Sequence, residues 1–234
     1  MSDEFAEQVA GIGSLAEPAR QALYLYVASR PDAVGRDEAA AAVDLPRHTA
    51  KFHLDRLVEE GLLEVEFRRL TGRTGPGAGR PSKLYRRSGR HFGVSLPERR
   101  YDLAGDVLAE AIDRAVRDDV PVAAAVREAA SARGRGLAAA GEPATAGDPL
   151  ARTSEVLARY GYEPRDTGGA VCLANCPFDR LASEHTALVC GMNLALIGGV
   201  IEGLGATSVA AELDPAPGRC CVRLAGSEAP AVAG

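Results

Sequence analysis

Apolar positions change period several times along the chain, and each change marks an element. After Glu17, Pro18 stands where a first helical turn tolerates proline, and Ala22, Leu23, Tyr26 and Val27 recur at helical spacing until Arg30-Pro31-Asp32. Arg36 to Val43 reads as a short alanine-rich helix that stops at Asp44-Leu45-Pro46. A third helix is predicted from Arg47 to Glu60, with Phe52, Leu54, Leu57 and Val58 turned inward and Gly61 as its C-terminal stop. The period then falls to two. Leu63, Val65 and Phe67 alternate as in a strand, a Gly/Pro/Arg stretch from Thr71 to Ser82 turns the chain, and Lys83 to Arg87 returns as a second strand. The acidic start, residues 1–13, has the look of a frayed arm.

Helical spacing resumes at Tyr101, with Leu103, Val107, Leu108, Ala111 and Ile112 on one side. Asp118-Asp119 before Pro121 is a stop and restart, and a second helix follows to about Ala140. Alanine-rich faces of this kind suit packing on a partner chain or on their own domain equally. The stretch from Gly141 to Pro149 is rich in turn residues. Beyond it the pattern predicts a helix over Ser154–Tyr160 and strands at Tyr162–Pro164 and Ala170–Leu173 about Gly168-Gly169. An apolar helix at Leu188–Leu204 contains Gly191, Gly198 and Gly199, and strands at Ser208–Leu213 and Cys220–Leu224 are joined by a Pro/Gly turn. The fold class is therefore α+β. Three segments are expected: a winged helix-turn-helix domain at 1–92, a helical linker and dimerisation region at 93–148, and a cysteine-containing α+β sensor domain at 149–234.

Composition narrows the classes. With 234 residues, 46% apolar and 25% charged, the chain can bury one or two cores and is not a disordered polymer. No apolar run reaches the roughly 18 residues needed to span a bilayer. The acidic start lacks the basic and apolar regions of an export signal, so a cytoplasmic protein with no membrane partner is expected. The net charge of −5 hides an asymmetry: eight basic and no acidic residues lie between Arg68 and Arg90. A cationic island on an acidic protein points to a polyanion, although a solvated loop would carry the same charges.

Helix, helix, turn, helix and basic-tipped hairpin is the order of a winged helix-turn-helix. Its third helix is narrow enough for the major groove of double-stranded DNA. The outward side of that helix offers Arg47, His48, Thr49, Lys51, His53 and Arg56, and the wing offers Arg73, Arg80 and Lys83. Isolated surface histidines commonly bind nothing. What favours DNA is helical order, cationic face and cationic wing within one segment. Residues 15–90, through HTAKFHLDRLVEEGLLEVE and GRPSKLYRRS, resemble the winged-helix domain of the ArsR-like bacterial transcription regulators. The resemblance implies operator binding, with Thr49, Lys51 and His53 near the groove and Arg80 and Lys83 at the wing. A homodimer follows from the two-fold symmetry usual for such operators, with the helices between Tyr101 and Ala140 joining the reading head to the sensor.

All five cysteines, Cys172, Cys176, Cys190, Cys220 and Cys221, lie in the last third. An odd count without an export signal argues against a disulfide framework and for metal or redox chemistry. The spacings match neither paired CxxC zinc sites nor ferredoxin runs, and small thiols also serve as core residues. Cys176 sits in Asn-Cys-Pro just past a strand, and Cys190 is expected in the first turn of a helix, where the dipole lowers a thiol pKa. Cys220 and Cys221, as neighbours on a strand, should face opposite ways. The string NCPFDRLASEHTALVC resembles the sensor domain of the Suf-operon repressor group of the ArsR-like regulators. That resemblance implies an iron–sulfur cluster, 4Fe–4S in preference to 2Fe–2S, on Cys176, Cys190 and one of Cys220 and Cys221. The fourth ligand stays open among Cys172, Asp179 and His185. Zinc control, a bare thiol switch and a small organic ligand are the alternatives. No dinucleotide fingerprint, P-loop, HExxH or nucleophile elbow occurs, so no enzyme is expected.

Overall fold

Glu17 and Pro18 open the helical core of the N-terminal half. The Glu17 carboxylate accepts hydrogen bonds from the amides of Ala19 at 3.1 Å and Arg20 at 2.7 Å, two of the donors a helix start leaves unpaired. The computed structural model describes residues 3–69, 81–141 and 147–226. The chain divides into two units, Met1–Val94 and Ser95–Gly234.

In the first unit α1 spans Asp3–Ser14, followed by α2 (Pro18–Ala28), β1 (Val34–Gly35), α3 (Arg36–Ala42), α4 (Arg47–Glu59), β2 (Leu63–Arg68) and β3 (Ser82–Arg87). The helix α1 replaces the frayed arm that its polarity suggests. Contacts distant in sequence hold it: Glu7 pairs with Arg90 at 2.8 Å, Gln8 accepts from the Gly93 amide at 2.9 Å, and Gly11 lies against the Phe92 ring. Gly61, at φ +73°, turns the chain out of α4. The strands β1, β3 and β2 form an antiparallel sheet in that order, and β2 and β3 pair from Leu63↔Arg87 to Arg68↔Ser82.

Ala50, Leu54 and Leu57 of α4 enter the core with Leu23, Val27 and Ala39. Phe52, in contrast, is 66% exposed. Its apolar character alone would place it inward. It lies two residues from both Ala50 and Leu54, which is on the opposite side of a helix whose buried row runs 50, 54, 57.

The second unit contains α5 (Tyr101–Asp118), α6 (Val122–Ala140), α7 (Pro149–Ala158), β4 (Pro164–Asp166), β5 (Ala170–Leu173), α8 (Asp179–Glu184), α9 (Thr186–Gly203), β6 (Val209–Leu213) and β7 (Val222–Gly226). Its sheet is antiparallel throughout, in the order β4-β5-β7-β6. The helix α7 starts earlier than Ser154 because Asp148 caps it, accepting from the amides of Leu150 and Ala151. No apolar periodicity announces the short α8. The helices α6 and α9 pack closely: a Cβ at Gly134 would collide with the Leu196 carbonyl, and one at Gly199 with the Ser131 carbonyl.

Leu103, Val107 and Ala129 share one buried cluster with Val156, Leu173, Leu196 and Leu224. The region read as a separate helical linker thus contributes to the same core as the segment read as the sensor. Ile112 is 55% exposed rather than inward, because the buried row of α5 runs Leu103, Val107, Ala111 and the next residue turns about 100° away. Among the described helices α9 has the length and apolarity to cross a bilayer, yet here it is a core helix against α6 and β6.

Candidate nucleic-acid interface and cysteine cluster

The outward side of α4 exposes Arg47, His48, Lys51, Phe52 and Arg56. Thr49 is half-buried. His53 is not on this face; its side chain is 13% exposed and its Nδ1 lies 3.5 Å from Glu17 Oε2. Arg73 and Arg80 lie outside the described residues, and Lys83 is on β3. Acidic residues temper the cations. Arg47 is 3.6 Å from Asp37, and Arg56 pairs with Glu59 and Glu60 toward the C-terminal end of the helix.

Asp55 is the hub that joins α4 to the wing. Its carboxylate accepts from Lys51 Nζ at 2.8 Å, Lys83 Nζ at 2.5 Å and the Tyr85 hydroxyl at 2.9 Å. Burial alone would raise its pKa, but the three donors outweigh burial and hold it at about 2. Burial and the Asp55 carboxylate push the Tyr85 phenol well above its ordinary value. The hub therefore stays a carboxylate bound to two ammonium groups and a neutral phenol.

In the second unit Val171 and Leu173 of β5 face the core, so Cys172 points to the other side of the sheet, where its register partner is Arg223. Cys220 and Cys221 precede β7 instead of lying on it. The Cys220 amide donates to the Leu173 carbonyl at 2.8 Å, which brings Cys220 beside the Asn-Cys-Pro loop. There the Cys176 thiol hydrogen-bonds to Cys220, and Asn193 Nδ2 donates to Cys220 Sγ at 3.1 Å. Asn193 Oδ1 in turn accepts from the buried Tyr162 hydroxyl. The hydrogen bond to Cys220 and burial push the Cys176 thiol far up. For Cys220, the bond from Cys176 lowers the pKa, but the bond to Cys221 and burial outweigh it and push the thiol up to about 11. Both are thiols, not thiolates, at neutral pH.

Cys190 is buried in the second turn of α9, past the first turn where a helix dipole acts. The structure thus brings Cys176, Cys220 and Cys221 into sequential contact. Among the described residues no group of three or more His, Cys, Asp or Glu is placed to hold a metal ion.

Sequence reasoning missed the polar clasp around this loop. Asn175 is buried, and its Nδ2 donates to the Glu98 carbonyl at 2.9 Å and the Gly161 carbonyl at 2.5 Å. The Arg99 guanidinium donates to Asn175 Oδ1 and to the Cys176 carbonyl, the latter at 3.0 Å, and the Arg100 amide donates to the Pro177 carbonyl at 3.0 Å. Residues 98–100 are thereby bound to the loop that carries Cys176. The asparagine preceding Cys-Pro is the one mark of this arrangement in the sequence.

The chain matches no curated protein and no solved structure. Residues 15–66, from the turn before α2 into β2, match the helix-turn-helix domain family, the kind of domain that DNA-binding transcription regulators carry.

Proposed function

We propose that this regulator reads an operator as a homodimer, with the first half of α4 in the major groove and the wing on the adjoining phosphates. The cysteine loop of the second unit sets its operator affinity. The observation that carries the DNA reading is the cationic face of α4 within the helix-turn-helix match. Dimerisation is supported by α5, where Ile112 and Val116 are 55% and 81% exposed, apolar surface that a second copy would cover. Control by the cysteines is supported by the clasp. Any displacement of Cys176 acts on carbonyls that hold Arg99 and Arg100, directly after the junction that follows Val94.

Thiolates are the ligands an iron–sulfur cluster takes. Their placement here does not fit one: two thiols meet, a third follows in line, and Cys190 would have to join Cys176 and Cys220. The contact between Cys176 and Cys220 favours a second reading, a dithiol–disulfide switch that reacts only when local opening exposes the pair, because burial keeps both sulfurs protonated in the closed form. A peroxide-class oxidant would take two electrons and two protons from the pair and leave as water, forming one S–S bond.

Anaerobic purification of the full chain decides between these forms. Iron and acid-labile sulfide, with absorption near ~400 nm that Cys176→Ser and Cys190→Ser abolish, would establish the cluster. Metal-free protein whose affinity for a selected duplex changes on peroxide treatment, but not in Cys220→Ser, would establish the switch. Metal-free protein whose affinity is indifferent to peroxide would refute cysteine control and leave DNA binding standing.

A further inference from the structure

The exposed face of α4 is cationic at every turn of its first half, with one exception. Phe52 stands in its middle, 66% exposed, with Lys51 beside it and His48 and Arg56 one turn away on either side. Among the described residues its ring neighbour is its own successor, His53, in an edge-on contact at 5.3 Å, and it contributes nothing to the core of the first unit. A phenyl ring open to water at the centre of a cationic helix face is positioned to be covered when that face meets a partner. The charges around it select a polyanion.

The face also has a direction. Asp55 and Glu59 stand on its C-terminal half, where they would repel phosphates. The half bearing Arg47, His48, Lys51 and Phe52 is the part free to enter a groove. In the major groove of DNA the apolar feature that a phenyl ring can cover is the C5-methyl group of thymine, which no other base carries. Lys51 and Arg56 are moreover engaged by carboxylates, so base reading does not rest on cations alone.

We propose that Phe52 is a specificity-determining residue that packs on a thymine methyl group in the operator. This rests on the DNA-binding reading, and the test separates the two. Wild-type protein is used to select a duplex from a randomised pool, and each thymine of that duplex is then replaced singly by uracil, which deletes only the methyl group. One replacement per half-site should weaken wild-type binding about fourfold, the factor that burial of one methyl-sized group supplies. Phe52→Ala, which removes the ring from both half-sites, should bind the thymine duplex about as weakly as wild type binds a duplex with both half-site thymines replaced, and it should no longer distinguish thymine from uracil at those positions. Its salt dependence should be unchanged, because no phosphate contact is lost. Circular dichroism of the variant should match wild type, since the side chain is outside the core. Wild-type indifference to every uracil replacement, or a Phe52→Ala protein that still discriminates at the same position, overturns the proposal while DNA binding stands. A Phe52→Ala protein that loses self-association overturns it in favour of an interface between copies. Failure of wild type to retain any duplex from the pool overturns the DNA-binding reading itself.

Discussion

Replacing Asp55 with asparagine should make the first unit less stable and at the same time a tighter, more salt-sensitive binder of DNA. The carboxylate ties α4 to the wing through Lys51, Lys83 and the nearly buried Tyr85. Its pKa of about 2, against an ordinary 3.8, corresponds to about 2 kcal/mol of folding stability, an upper figure because solvent reaches part of the site. Asp55→Asn keeps the shape but loses the charge, so thermal unfolding of this unit should fall by roughly 10 °C.

The pH dependence has a definite sign. A carboxyl whose pKa is depressed by folding contributes fully above its unfolded value and loses that contribution as pH falls through its folded value. The gap between wild type and variant, measured by urea denaturation followed by circular dichroism, should be constant above about pH 5 and close as pH approaches ~2. Release of Lys51 and Lys83 frees two ammonium groups for phosphates. The slope of log affinity against log salt should then steepen by about 1.8, at roughly 0.9 per contact. A variant with wild-type stability at neutral pH and an unchanged salt slope would refute the assignment of Asp55 as the hub.

Gly134→Ala and Gly199→Ala should each destabilise the second unit by about 1–3 kcal/mol or more, because the new Cβ meets backbone across the α6–α9 contact. Gly136→Ala, which meets nothing, is the control, and equal melting temperatures for Gly134→Ala and Gly136→Ala would contradict the close packing. Asn193→Ala strands the Tyr162 hydroxyl and removes the donor to Cys220, so a loss of about 2–3 kcal/mol is expected by chemical denaturation. Faster labelling of Cys220 by a thiol reagent should accompany it. Asp148→Ala deletes the α7 cap and should cost about 1 kcal/mol. Hydrogen exchange should quicken at the amides of Leu150 and Ala151 and leave the first unit unaffected.

Much of the first unit can be read from local pattern. The spacing of Leu54 and Leu57, the proline at Pro18 and the positive φ of Gly61 specify α2 and α4 to within a residue or two, and two-residue alternation specifies β2 and β3. These are contests between neighbours in sequence, and periodicity records their outcome. The helix α1 is invisible to that logic because Arg90, Phe92 and Gly93 stabilise it from the far end of the unit. Phe52 and Ile112 were misplaced for a related reason. An apolar residue is a statement about composition, whereas facing the core is a statement about helical phase, and both lie a residue or two off the buried row.

The residue types of the candidate sites were likewise visible. Cations along α4 and soft sulfur donors from Cys172 onward can be read off as residue types wherever the chain places them. Only folding decided which of them meet. Asp55 gathers Lys51 and Lys83 because α4 and β3 pack with their charged sides adjacent. Cys176 finds Cys220 because the Cys220 amide hydrogen-bonds the end of β5, while Cys190 rides in the second turn of α9 and Cys172 faces the other side of the sheet. Charge and softness belong to single residues and survive in a string of letters. Convergence is a property of backbone paths separated by tens of residues, and it exists only once those paths have packed.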